Sequence, residues 1–132
     1  MTADVLPRIL LVEDSRRFRE LVVEILREKG YKVRGARSIR KVIHRLKNHQ
    51  FDLIISDISV GDKSGAEVVK LVADTYPDAK IIMMSLPIAD PIIEEAMASG
   101  RIYFLPKPFG ANQLLEMLTS ISNAPQSTDE PK

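Results

Sequence analysis

The chain has 132 residues and a net charge of +1, and 45% of its residues are hydrophobic. This length is typical of one domain with a sizeable core, and so balanced a charge does not favour nucleic-acid or membrane binding. The absence of cysteine excludes a disulfide framework and zinc-thiolate sites. No basic region with a long apolar run follows the N-terminus, and no apolar run approaches a membrane span. We therefore expect a cytoplasmic protein without a signal peptide.

Five short apolar runs predict β-strands. They are RILLV (8–12), YKVRG (31–35), DLIIS (52–56), KIIMMS (80–85) and IYFLP (102–106). The first, third and fourth runs are continuously apolar, which is typical of central strands in a parallel sheet that is covered on both faces. The second run alternates polar and apolar residues, so we expect it at an edge of the sheet.

Apolar residues recur at intervals of three and four in four segments, which predicts helices with stripes within residues 18–26, 39–46, 66–72 and 114–121. Start and stop signals predict a further helix over residues 90–100, the fourth in chain order. Asp14 or Ser15 is expected to cap the first helix and Asp90 the fourth, while Gly30 and Gly100 are expected to end them. Strands that alternate with helices predict an α/β fold, a doubly wound five-stranded parallel sheet with helices on both faces.

The C-terminal sequence SNAPQSTDEPK is polar, contains two prolines and lacks an apolar stripe. We therefore predict one domain over residues 1–123 and a disordered tail, or the start of a linker, over residues 124–132. No internal repeat is visible beyond the alternation of strands and helices.

The charge is unevenly distributed along the chain. Residues 29–50 include no acidic residue and eight basic ones: Lys29, Lys32, Arg34, Arg37, Arg40, Lys41, Arg45 and Lys47. A solvated helix face is the simpler interpretation, and a docking patch for an acidic partner is the more specific one. We interpret His44 and His49, in the same segment, as surface residues rather than metal ligands, because no carboxylate or cysteine lies beside them.

Polar residues stand at the carboxyl ends of four predicted strands. Glu13 and Asp14 follow the first run, Asp57 follows the third, Ser85 ends the fourth, and the fifth leads into Lys107. In an open parallel sheet these strand ends share one edge, where ligands bind. Three carboxylates close together repel one another, and a hard cation such as Mg²⁺ relieves that repulsion. A phosphoryl group on the third-strand carboxylate would use the lysine and the hydroxyl, and aspartyl phosphate is an established covalent intermediate.

Each of these residues also has a simpler interpretation. Asp14 could cap the first helix, Asp57 could form a turn, Ser85 could end a strand, and Lys107 could be a solvated loop residue. Taken singly, these structural roles are the better prediction. Their coincidence at four strand ends on one edge favours a functional site.

The segments ILLVEDS, DLIISDIS, MMSL and YFLPKPF occur in the order and at the spacing of a known family. From about Arg8 to Ile121 the chain resembles a response-regulator receiver domain of two-component signalling. The resemblance implies that a histidine kinase or phosphotransfer protein donates a phosphoryl group from a phosphohistidine to Asp57. It implies a magnesium-dependent reaction in which the domain catalyses only its own phosphorylation and dephosphorylation, so we do not class it as a conventional enzyme.

The resemblance also assigns roles to single residues. Asp14 is expected to bind Mg²⁺ directly, Glu13 through water and Ser59 through its backbone carbonyl, with Asp57 as both phosphoacceptor and ligand. These assignments come from the family pattern and not from the spacing of the residues alone.

The same resemblance implies a conformational response. Lys107 would contact the phosphoryl group, Ser85 would move to it as a switch hydroxyl, and Phe104 would reorient, although Phe104 is equally well interpreted as a core aromatic. The bond between Lys107 and Pro108 is expected to be cis, as is common in the family. The changed surface is that of the fourth helix, fifth strand and fifth helix, which would also serve a homodimer, and we expect no direct contact with membrane or nucleic acid.

Several positions depart from the family pattern. The family often has Met-Pro where Val60 and Gly61 stand, an apolar residue at Lys63, a small residue at Leu86 and alanine at Arg101. Lys63, Leu86 and Arg101 support an alternative, a degenerate receiver that acts as a phosphorylation-independent protein-binding module. The second alternative is a flavodoxin-like cofactor protein, which the acidic sequence EDSRRF after the first strand disfavours. A third is a metal-dependent phosphatase, whose second aspartate is replaced here by Ser59.

Overall fold

The computed structural model describes residues 6–60 and 63–123. Strands and helices alternate along this part of the chain, as the periodicity predicts. The elements are, in order, β1 (Arg8–Val12), α1 (Arg16–Glu28), β2 (Lys32–Ala36), α2 (Ile39–Asn48), β3 (Leu53–Asp57), β4 (Ser59–Val60), β5 (Lys63–Ser64), α3 (Gly65–Thr75), β6 (Lys80–Met84), α4 (Pro91–Ala98), β7 (Ile102–Phe104) and α5 (Ala111–Asn123).

Five strands form one parallel sheet in the order β2-β1-β3-β6-β7. The predicted doubly wound five-stranded parallel sheet with helices on both faces is confirmed. The continuously apolar strands β1, β3 and β6 lie in its interior, and the alternating strand β2 lies at an edge, as predicted. The order places β1 beside β3, so the residues that follow these two strands come out next to each other.

Apolar side chains fill two layers, one on each face of the sheet. Leu10 and Ile54 pack with Val42 of α2 in the layer that α2, α3 and α4 cover. Ile9 and Ile55 pack with Leu26 of α1 in the layer that α1 and α5 cover. Because successive strand residues point to opposite faces, a continuous apolar run serves both layers. Burial of each such side chain contributes about 1.5–3 kcal/mol, which holds the strand ends in place.

The helix ends follow the predicted signals, with one choice resolved. Of the two predicted candidates, Ser15 is the N-cap of α1, and its side chain accepts a hydrogen bond from the Phe18 N–H. Asp90 caps α4 and accepts from the Ile92 N–H at 2.9 Å, as predicted. Gly30 follows α1 with φ +94°, a conformation that favours glycine.

The short hairpin of β4 and β5 was not expected from the sequence. Ser59 pairs antiparallel with Ser64, directly after β3. Strands of two residues are too short to show a period, which is why the pattern of side chains did not predict them. The hairpin leads the chain from the end of β3 to the start of α3.

The predicted tail over residues 124–132 lies outside the described residues. Within the two described ranges, none of the helices combines the length and the apolar character that crossing a membrane requires. The domain boundary at residue 123 stays a prediction.

Candidate functional site

Three carboxylates meet at the carboxyl edge of the sheet. Glu13 and Asp14 follow β1, and Asp57 ends the neighbouring strand β3. Each can offer one oxygen atom such that all three oxygens lie within 4.8 Å of one another. Glu13 is buried, Asp57 is half-buried and Asp14 is exposed. The sequence prediction that these three residues come together is therefore confirmed.

Glu13 is the buried member of the group, with 1% of its surface exposed. Lys107 Nζ donates to its Oε1 at 2.9 Å, and the Ser15 N–H donates to its Oε2 at 3.0 Å. Arg19 donates to its backbone carbonyl at 2.8 Å. A carboxylate without partners is costly to bury, so the donors Lys107 and the Ser15 N–H explain how the Glu13 carboxylate remains inside the protein.

Lys107 enters the site from the loop after β7. Its Nζ lies 2.9 Å from Glu13 Oε1 and 3.5 Å from Asp57 Oδ2, so one ammonium group bridges two carboxylates. The peptide bond between Lys107 and Pro108 is cis, which confirms the expectation from the family pattern. The lysine thus lies beside the side chain that the sequence analysis singled out as phosphoacceptor.

Two aromatic rings support this lysine, although the sequence pattern predicts no role in the site for either ring. Lys107 Nζ lies 4.3 Å from the centroid of the Phe18 ring, which is a cation–π contact. The Phe109 ring meets Phe18 edge-on, with centroids 5.8 Å apart and planes at 80°. The helical period predicts Phe18 only as part of the apolar stripe of α1. Its place in the first turn after Asp14 was the signal that could have linked it to the site.

The backbone around Asp57 is held tightly. The Ile58 N–H donates to Asp57 Oδ1 at 2.8 Å, and Ser56 Oγ donates to the Asp57 carbonyl at 3.0 Å. A Cβ on Gly65 would lie 2.8 Å from the Ile58 carbonyl oxygen and 2.9 Å from Met83 Cε. Only glycine fits such a close approach, so the start of α3 packs directly against the strand end that presents Asp57.

The remaining predicted residues lie around this centre. Ser85 follows β6, is buried, and its Oγ donates to the Leu86 carbonyl at 2.9 Å. Phe104 is half-buried at the end of β7 and packs against the core layer of α2, α3 and α4. Ser59 is exposed in β4, two residues after Asp57. Among the departures from the family pattern, Leu86 is 67% exposed.

The donor set fits a small hard cation. Carboxylate oxygens are the ligands that magnesium prefers in proteins, and three of them converge here. Lys107 supplies one positive charge to the group, which leaves its carboxylates in excess. A divalent cation would bring the net charge of the three carboxylates and the lysine to zero.

Comparison with known proteins gives the family. The model of the response regulator receiver domain matches residues 9–119. Chemotaxis protein CheY of Thermotoga maritima is 29% identical over 116 residues, which are 87% of this chain and 97% of that protein.

Solved structures agree with this result. The chemotaxis response regulator CheY4 of Vibrio cholerae has a TM-score of 0.76 at 30% identity, over 89% of this chain and 99% of that one. Response regulator protein TrrA of Thermotoga maritima, solved in complex with Mg²⁺-BeF, has a TM-score of 0.70 at 29% identity, over 88% and 99% of the two chains. Because the family model matches most of the chain, this protein belongs to the response regulator receiver domain family.

Proposed function

We propose that the domain accepts a phosphoryl group on Asp57 from a phosphohistidine of a histidine kinase or phosphotransfer protein. The observation that supports this most directly is the position of Lys107, whose ammonium group lies 3.5 Å from Asp57 and 2.9 Å from buried Glu13. A fixed cation beside a half-buried carboxylate is suited to neutralise charge on a transferring phosphoryl group.

Glu13, Asp14 and Asp57 would hold a magnesium ion, with the Ser59 carbonyl as a further oxygen ligand. The grouping of the three carboxylates supports this assignment. When bound, the ion neutralises negative charge on the phosphoryl oxygens. The structure of TrrA in complex with Mg²⁺-BeF, at 29% identity, also supports a magnesium site in this chain.

The transfer is a nucleophilic substitution at phosphorus. One oxygen of Asp57 forms a bond to phosphorus while the bond from phosphorus to the imidazole nitrogen breaks, and the departing nitrogen keeps the electron pair. The Ile58 N–H, which donates to Asp57 Oδ1 at 2.8 Å, orients the carboxylate for this attack. Water later attacks the phosphorus of the acyl phosphate, which releases inorganic phosphate and restores the carboxylate. In both steps the domain acts on its own Asp57.

Phosphorylation would then change the surface of α4, β7 and α5. Ser85 Oγ donates to the Leu86 carbonyl, and it would exchange this bond for one to the phosphoryl group. Phe104 would follow by turning further into the core layer beside it. Such a change biases an equilibrium between two conformations of the face, which is where we place the partner protein or a second copy of the chain.

The test is the intact mass of the protein after incubation with magnesium and acetyl phosphate. We expect one phosphoryl adduct on the wild type and none on Asp57→Asn, with the wild-type adduct lost when EDTA removes magnesium. An adduct on both proteins would place the phosphoryl group elsewhere. If neither protein gains an adduct while both are folded, the degenerate protein-binding module becomes the better proposal.

A further inference from the structure

A basic surface lies at the edge of the sheet that is farthest from β7. Because Ala36 packs in the α2 layer and Val33 in the α1 layer, the alternate residues Lys32 and Arg34 point to the face that α2 covers. These two residues and the basic residues of α2 therefore share one surface. We call it the basic face; its exposed members are Lys32, Arg34, Arg37, Arg40, Lys41 and Lys47.

The α2 part of the basic face points away from the core. Val42 and Leu46 form the buried side of this helix. Arg40, His44 and Lys47 recur at intervals of four and three and are all exposed, so they form a stripe on the opposite side. These side chains are available to a partner without any change in the packing of α2.

The residues of the basic face form no ion pair within the described part of the domain. The ion pairs there are Arg8 with Asp52, Arg16 with Glu20, and Lys107 with two carboxylates, and none involves the basic face. Partial desolvation, together with the charges of Arg34, Arg45 and His44, lowers the pKa of His49 at the border of this face. Like charges that repel one another disfavour the folded domain, and carboxylates of a partner would relieve that repulsion.

Two further arginines in this region have structural roles. Arg27 Nη2 donates to the Val33 carbonyl at 2.9 Å, and Arg45 Nε donates to the Gly35 carbonyl at 3.1 Å. Both carbonyls belong to the edge strand β2, so these guanidinium groups cover hydrogen-bonding positions that an added strand would need. A partner is therefore expected to bind the side-chain charges and not to extend the sheet.

The other side of the edge strand carries carboxylates as well as basic residues. An open groove of about 910 Å³ separates Lys41 of α2 from a row on α1 that consists of Glu20, Glu24 and Glu28, and α1 also places Arg19 and Arg27 along this groove. A nucleic-acid duplex or an anionic membrane would bring phosphates over this row as well as over the basic face. A narrow polypeptide segment can contact the basic face alone, and this charge arrangement favours a protein partner.

We infer that the basic face on β2 and α2 is a docking site for an acidic segment of a partner protein. The basic face and the surface of α4, β7 and α5 lie at opposite edges of the sheet. A partner on the basic face leaves the other surface accessible. Binding to the basic face does not require a phosphoryl group on Asp57. The docking proposal therefore does not depend on the proposed function.

The test measures binding of a fluorescein-labelled peptide rich in Glu and Asp by fluorescence anisotropy, at low and at physiological salt. The wild type and Asp57→Asn are expected to bind equally and saturably, and more weakly as salt rises. Arg40→Ser/Lys47→Ser should weaken binding about fivefold, because the ion pairs that exposed side chains form are individually weak. Lys32→Ser/Arg34→Ser probes the β2 part of the face in the same way.

The matched control is Arg17→Ser/Lys70→Ser, which removes the same charge from exposed positions on α1 and α3. It should bind as the wild type does. An equal loss in the control, or no saturable binding to the wild type, would overturn the proposal. So would tighter binding of a DNA duplex or of phosphatidylserine vesicles than of the peptide. Arg45 is left unchanged, because its loss would uncover the Gly35 carbonyl and alter stability.

Discussion

Lys107 Nζ donates to Glu13 Oε1 at 2.9 Å, and Glu13 is almost completely buried. The two residues are in contact although they lie 94 positions apart in the sequence. This contact ties the loop after β7 to the end of β1. It means that the lysine supports the fold of the site as well as any chemistry on Asp57.

Lys107→Met is therefore expected to lower the free energy of unfolding by about 1–3 kcal/mol, because it leaves a buried carboxylate without its cation. Glu13→Gln/Lys107→Met should recover part of this loss, since the neutral amide is less costly to bury. Urea unfolding of the wild type and the two variants measures both effects. A wild-type stability for Lys107→Met alone would contradict the structural role of the lysine.

Phe18→Leu should slow phosphorylation by acetyl phosphate about two- to fivefold. Leucine keeps an apolar side chain but removes the ring that lies 4.3 Å from Lys107 Nζ, a contact of about 0.5–1 kcal/mol. Phe18→Tyr keeps a ring and is the matched control, with a rate close to that of the wild type. Equal rates for the leucine and tyrosine variants, at comparable stability, would rule out a positioning role for the ring.

Gly65→Ala is expected to destabilise the domain by about 1–3 kcal/mol, because its Cβ would lie 2.8 Å from the Ile58 carbonyl oxygen. The shift needed to relieve this clash should also displace Asp57 and slow its phosphorylation. Gly110→Ala is the control, since the nearest atom to its Cβ is 3.9 Å away. Thermal unfolding and phosphorylation rates compare the two variants; similar values for both would show that the space at Gly65 is not restrictive.

Leu86→Ala should change the rate of phosphorylation or dephosphorylation without a large change in stability. The side chain is 67% exposed, so its truncation is expected to alter the free energy of unfolding by no more than about 0.5 kcal/mol. The Leu86 carbonyl accepts a hydrogen bond from the Ser85 hydroxyl. Leu86 therefore lies next to the hydroxyl group that is expected to move. Time courses of the phosphoryl adduct measure both rates, and identical time courses would reject the prediction.

Asp52→Asn should reduce stability at neutral pH but not in acid. Hydrogen bonds from the Arg8 side chain lower the pKa of Asp52 in the folded state below its ordinary value of 3.8. A lowered pKa stabilises the fold above that value, and the contribution is lost as the pH falls through the folded-state pKa. Urea unfolding at a series of pH values should show the gap between the two proteins closing below about pH 4. A constant gap would contradict this assignment.

Much of the fold was predictable because it depends on local patterns. Continuous apolar runs predicted β1, β3 and β6 as interior strands, and the alternation of residues 31–35 predicted an edge strand. The short hairpin of β4 and β5 escaped prediction, because two residues cannot display a period. For α1 the sequence predicted the N-cap to within one residue. The structure distinguishes Ser15 from Asp14, because the Ser15 side chain accepts a hydrogen bond from the Phe18 N–H.

The amino-acid sequence by itself determined which chemical groups stand at the strand ends, and the parallel topology that it predicts places them on one edge. Tertiary structure decided which of these groups touch. The bridge from Lys107 to Glu13 and Asp57, and the Phe18 ring beside that lysine, join segments far apart in the chain. No local period encodes such contacts, because they depend on how the two core layers bring the helices and loops onto the sheet.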